Sequence, residues 1–122
     1  MAGDTSSLQR HLAGIEGADT LALSAALGKR LLALPPVVLA EALSDGALTD
    51  ANSEKVRSIP LLEIDSGYWE RAGMMRALLR SRGFKASLAD CLIAQSCIDH
   101  DIPLITYDRD FRHFERAGLR LA

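Results

Sequence analysis

The sequence predicts an α/β sandwich whose central sheet is mainly parallel. Three observations carry this expectation. Short apolar runs, "LLAL", "IPLLEI" and "PLIT", alternate with longer segments whose apolar residues recur at helical spacing. Each run is short enough to be a strand and gives way to proline or to a polar turn. A chain of 122 residues with 48% hydrophobic and 25% charged content suits one soluble domain over 1–122, burying roughly two-thirds of its unfolded surface around one core.

The elements follow in order. "DTSSLQRHLAG" offers capping residues from Asp4 to Ser7, Leu8 and Leu12 four apart, and Gly14 as a stop, which predicts a short helix. After the Gly17 break, "ADTLALSAALGKR" places Leu21, Ala22, Ala25 and Ala26 at helical spacing behind a capping Asp19 or Thr20, and its basic end suits the helix dipole. "LLAL" reads as a buried strand cut off by Pro35 and Pro36, and a proline at the first helical position pre-organises "VVLAEALSD" as a helix ending near Asp45-Gly46. "ALTDANSEKVRS" is polar and reads as a loop with a helical turn, followed by "IPLLEI" as a strand. "DSGYWERAGMMRALLRSRG" is the clearest helix, with Tyr68, Ala72, Met75 and Leu79 on one stripe and Gly83 past its end. "SLADCLIAQSCIDHD" is almost wholly apolar, so it predicts a helix buried between layers. "PLIT" is the next strand. "DFRHFE" begins to turn helical, anchored by Phe111 and Phe114, and "GLRLA" is an edge strand.

Composition excludes several functions. No apolar run approaches the roughly 20 residues that span a bilayer, and "MAGDTSSLQRHLAG" lacks a signal-peptide layout, so a cytoplasmic protein is expected. Cys91 and Cys97 lie about 120° apart around their helix, too far round to bridge each other, and read as small core residues in a reducing compartment. His11, His100 and His113 are scattered without zinc-ligand spacing. The net charge of −2 gives no electrostatic reason of its own to expect nucleic acid. Setting four of the sixteen acids aside in a cation-filled pocket leaves twelve against fourteen bases, a permissive balance of +2.

The acids carry the chemistry. In open parallel sheets, sites form beyond the carboxyl ends of the strands. Asp108 follows the "LIT" strand by two residues, and Asp4 sits where a first strand ends and the first helix begins. Glu41 is embedded between Val37-Val38-Leu39-Ala40 and Ala42-Leu43, where a carboxylate needs a compensating partner or an outlet to solvent. Asp90 lies between Leu88-Ala89 and Cys91-Leu92-Ile93, in the first turn of the most buried helix. Taken singly, Asp4 and Asp108 also read as caps, and Ser87-x-x-Asp90 is close to a capping box. Glu41 alone has no capping explanation. Together, four carboxylates at one rim repel, by roughly 4 kcal/mol for a pair about 4 Å apart at an effective dielectric of 20. Such a cluster raises its pKa values or binds a cation. Oxygen donors without histidine or thiolate suit Mg²⁺ or Mn²⁺ and the hydrolysis of a phosphodiester.

"DTSSL", "LPPVVLAEALSD", "SLADCLIAQ" and "PLITYDRDF" resemble, in order and spacing, the four acidic motifs of PIN-domain proteins, most closely the VapC-type toxins of bacterial toxin–antitoxin pairs. The resemblance runs from Asp4 almost to the C-terminus. It implies a three-layer α/β/α fold and a Mg²⁺- or Mn²⁺-dependent endoribonuclease that cuts single-stranded RNA to leave a 5′-phosphate and a 3′-hydroxyl. It also implies a VapB-type antitoxin as partner and a homodimer. By the same resemblance the metal-binding and catalytic acids are Asp4, Glu41, Asp90 and Asp108, with Ser6 and Thr106 beside the metal. Asp110 is then an outer ligand or the cap of the following turn. Only Met1-Ala2-Gly3 precede Asp4, so the first strand contributes very few residues. Two other readings compete. One is a PIN-like module that binds antitoxin or RNA and cleaves weakly. The other takes Asp108 and Asp110 as the D-x-D of a haloacid-dehalogenase-type phosphotransferase, but that pair belongs after an early strand with much chain beyond it.

Overall fold

The computed structural model describes residues 1–122. Strand β1 (Ala2–Gly3) pairs in parallel with β2 (Leu104–Ile105), Ala2 opposite Leu104 and Gly3 opposite Ile105. Single parallel bridges extend this pair on both sides, joining Ala2 to Ala33, Leu34 to Leu61, and Leu104 to Leu121. The extended segments therefore lie in the order 61, 33–34, β1, β2, 121, with every neighbour parallel. The chain steps outward from β1 to one edge and then jumps to β1's other side for β2. The order reverses between β1 and β2, which opens a crevice at their carboxyl ends.

Six α-helices make the outer layers of this α/β/α sandwich: α1 (Thr5–Leu12), α2 (Ala18–Gly28), α3 (Pro36–Leu43), α4 (Asp50–Arg57), α5 (Tyr68–Ser81) and α6 (Leu88–Asp99). A 3₁₀ segment, Arg109–Ala117, follows β2. Helices α1 and α2 pack on each other, as do α5 and α6, and α3 touches both α1 and α6. The stripe expected on α5 is buried at all four positions, Tyr68, Ala72, Met75 and Leu79. The Tyr68 hydroxyl donates to the Leu92 carbonyl at 2.7 Å, and Arg71 clasps Asp99 through two contacts of 3.1 and 2.6 Å, so α5 is locked to α6 at one end. Gly83 ends the helix at φ +83°, a conformation that a residue with a Cβ rarely adopts. On α6, Cys91, Ile93, Ala94, Gln95, Ser96 and Cys97 are all buried, and both cysteines are free. Burial pushes their thiols up to about 11 and about 12, so they serve as core residues.

Four elements differ from the sequence expectation. The stretch read as a loop contains α4, a two-turn helix whose Thr49 hydroxyl caps the Asn52 N–H at 3.1 Å and whose Val56 is fully buried. One apolar anchor and one cap suffice to hold a helix that is otherwise polar. "IPLLEI" contributes only Leu61 to the sheet, because it runs along an edge where Pro60 lacks an N–H and Leu61 is itself exposed. "LLAL" and "GLRLA" likewise make single-residue bridges instead of continuous ladders.

No helix is long and apolar enough to cross a membrane. The core is one cluster of 22 buried residues, drawn from Ala2 at one end of the chain to Leu119 at the other. Phe111 and Phe114, whose rings lie 5.6 Å apart, anchor the 3₁₀ segment in it.

Candidate active site

Two residues of β1 are enough to place Asp4. The Ala2 N–H donates to the Pro103 carbonyl at 3.0 Å and the Asp4 N–H to the Ile105 carbonyl at 3.2 Å, so the first aspartate leaves the sheet beside the end of β2. Its side chain is 2% exposed. One carboxylate oxygen caps α1 by accepting the Ser7 N–H at 2.9 Å, and the other accepts the Ser6 hydroxyl at 3.1 Å and the Thr106 hydroxyl at 2.5 Å. Burial raises its pKa in spite of these three donors. The cap of α1 and the candidate site residue are thus the same side chain.

Thr106 links both strands. While its hydroxyl donates to Asp4, the same oxygen accepts the Asp108 N–H at 3.0 Å. Asp108 in turn caps the 3₁₀ segment, its Oδ1 accepting the Asp110 N–H at 2.9 Å. The capping role that the sequence left open to Asp110 therefore belongs to Asp108. Asp110 is exposed and lies outside the cleft that holds the other acids.

Glu41 and Asp90 approach from the helices. On α3, Glu41 is half-buried and accepts the Thr5 hydroxyl at 2.6 Å, which supplies the compensating partner its apolar surroundings require. On α6, the Ser87 hydroxyl caps the Asp90 N–H at 3.1 Å, but the reciprocal bond of a capping box is absent, so the Asp90 carboxylate faces the cleft. Burial, together with the carboxylates of Asp108, Asp4 and Glu41, pushes its pKa up to about 6 against the Ser87 hydroxyl. Four acids from four separate segments thus feel one another across one space.

That space is a cleft of about 490 Å³ at the carboxyl edge of β1 and β2. Asp4, Glu41, Asp90 and Asp108 line it, with the polar Thr5 and Ser6, and Ile93 and Phe111 form its apolar part. Thr5, Gln9 and Ser44 are additions that sequence reasoning missed. The signal for Thr5 and Gln9 is their four-residue spacing on α1, immediately after Asp4. No three of the Asp, Glu, His and Cys side chains stand close enough to form a ready-made cage for an ion. The donor set nonetheless fits Mg²⁺ or Mn²⁺: every acid offers hard oxygen, neither histidine nor thiolate is present, and Mg²⁺ keeps several waters while using only one or two carboxylates.

Carboxylates gathered at the switch point of a parallel α/β/α sheet define a class of proteins suited to cation-assisted chemistry on phosphate esters. The chain belongs to the PIN domain family, which matches residues 4–117. PIN domains are in general nucleases acting on nucleic acid, and they typically use divalent metal ions. No curated protein matches the chain at a significant level.

Proposed function

We propose that this protein is a divalent-metal-dependent endoribonuclease that hydrolyses phosphodiesters of single-stranded RNA in the acidic cleft. The observation that carries this reading is the convergence of Asp4, Glu41, Asp90 and Asp108 on one cleft, where burial and, after it, the neighbouring carboxylates push Asp90 up to about 6. Asp4, Glu41, Asp90 and Asp108 are the residues that would hold Mg²⁺ or Mn²⁺, one or two of them directly and the others through its waters, and the bound ion would supply Lewis acidity toward the phosphate and an acidified water. The chain's own contribution is preorganisation. Thr106 and Ser6 fix the direction of Asp4, Thr106 positions the backbone of Asp108, and Thr5 orients Glu41. Asp90 is ionised near neutral pH, ready to face a cation.

The test pairs cleavage with metal binding. Purified protein is expected to cut a labelled single-stranded RNA in Mn²⁺ or Mg²⁺ and to stop in EDTA. Calorimetric titration with Mn²⁺ is expected to show binding near pH 7 that weakens at least about tenfold near pH 4.5, because below pH 6 protons compete with the cation for Asp90. Equal affinity at both pH values overturns the metal assignment. Binding of RNA without cleavage in any divalent cation favours a binding module instead.

The finer reading is a cytoplasmic toxin of the VapC type, held inactive by a VapB-type antitoxin. The four motifs support it, as does the exposed apolar surface on α5, where Trp69 and Met74 are 62% and 72% exposed beside the buried stripe. A homodimer is expected in solution, and a monomer at high micromolar concentration in light scattering contradicts that part.

A further inference from the structure

We propose that the RNA strand crosses the acidic cleft along a track with cations at both ends, and that Tyr107 is the platform on which a base beside the cleft stacks. The proposal rests on the nuclease reading above and adds how the substrate is held. Two further hollows adjoin the cleft, and each shares one of its acids. One, of about 490 Å³, shares Asp90 and is walled by Arg76, Arg80 and Lys85. The other, of about 300 Å³, shares Asp108 and is walled by Arg109, Arg112 and Tyr107. A polyanion lying over Asp90 and Asp108 therefore has a cation-walled hollow beside each of them.

Those cations are free to act. The ion pairs of the chain are Arg10–Asp19, Arg71–Asp99 and Arg120–Asp101, so none of the track's basic residues is neutralised by one. Arg76 donates to the Ala86 carbonyl at 2.9 Å and so braces the wall, whereas Arg80, Lys85, Arg109 and Arg112 are exposed. The remaining acids do not close the track. Asp110 sits with Asp90 in the first hollow, outnumbered there by three bases, and Asp19 in the second is tied to Arg10.

Tyr107 lies between two residues of the site, Thr106 and Asp108, yet is 63% exposed. The Arg10 guanidinium covers one face of its ring, 3.8 Å from the centroid, and Asp19 holds Arg10 through contacts of 3.0 and 3.3 Å. One face is braced by Arg10, and most of the residue stays exposed to solvent. A strip of cations tracking a backbone, with an aromatic face for a base, is the chemistry that holds a single strand, whereas a duplex keeps its bases stacked inside.

The test is fluorescence anisotropy of a labelled single-stranded RNA in EDTA, where binding is read without cleavage. The double variants Arg80→Ala/Lys85→Ala and Arg109→Ala/Arg112→Ala are each expected to weaken binding about tenfold at low salt. Each should also lower the slope of log affinity against log salt by about 1.4, since one phosphate contact on a single strand contributes about 0.7. Tyr107→Ala is expected to weaken binding about tenfold with the salt slope unchanged, and Tyr107→Phe to restore it. The control Lys29→Ala/Arg57→Ala removes two exposed cations at the amino edge of the sheet and should stay within about twofold of wild type. The track is overturned if either groove pair behaves like the control, and the stacking role if Tyr107→Phe binds as weakly as Tyr107→Ala. The two readings fail separately. Cleavage in Mn²⁺ that ignores the groove variants overturns the track alone, and tight groove-dependent binding with no cleavage in any divalent cation overturns the nuclease alone.

Discussion

Asp90→Asn is expected to abolish RNA cleavage while leaving the metal-free protein at least as stable as wild type. Its pKa of about 6 stands about two units above the ordinary value of 3.8, and each unit corresponds to about 1.4 kcal/mol of disfavoured charge. Asp90 is only half-buried, so solvent screening reduces the net effect to about 1 kcal/mol. The sign follows from proton linkage. A carboxylate whose folded pKa is raised destabilises the fold above that pKa, and the penalty vanishes as pH falls from about 6 toward 4. In EDTA, wild type should therefore gain stability relative to Asp90→Asn over this window. Urea unfolding of both proteins near pH 7 and near pH 4.5 measures it. If Asp90→Asn is clearly less stable near pH 7 and still cleaves RNA, Asp90 is a structural residue of α6 and nothing more.

The second large effect separates Asp108 from Asp110. Asp108→Asn is expected to lower single-turnover cleavage at saturating Mn²⁺ by about a hundredfold or more, with little loss of stability, because asparagine can still cap the Asp110 N–H. Asp110→Asn should stay within about tenfold of wild type, since that side chain lies outside the cleft and only borders the neighbouring groove. The reverse ranking, with Asp110→Asn inactive and Asp108→Asn active, overturns the assignment of the fourth acid.

What could be read from the sequence divides along physical lines. Helices with a periodic apolar stripe were legible, as with Tyr68 to Leu79, because a 14-residue helix repeats its signal. The sheet was legible only as a set of apolar runs. With two residues in each strand and single bridges beyond, hydrogen bonding is decided by neighbours far away in the chain, and no local pattern announces where a ladder stops. Helix α4 was missed because its one buried contact, Val56, is too little for a periodic signature. The four acids were legible as candidates because each interrupts an apolar or capping context, and the fold places all four on one cleft. The cations of the flanking grooves were not assignable, since exposed arginines look alike until the fold shows which ones share a wall with Asp90 or Asp108. Tyr107 was hidden for the same reason. Its partner Arg10 lies on α1, at the other end of the chain.

The hydrogen bond from Thr106 to Asp4 joins residues 102 apart in sequence. Closing so long a loop carries an entropic cost that grows as the logarithm of its length and is not recovered until the late strand β2 docks beside β1. A chain still emerging from the ribosome has made Asp4 and Glu41 well before Thr106 and Asp108, and until those arrive its first aspartate lacks the Thr106 hydroxyl that helps to aim it. The four carboxylates therefore come to share one cleft only when the last strand docks, so the geometry of the cleft is a product of completed folding and of no earlier stage.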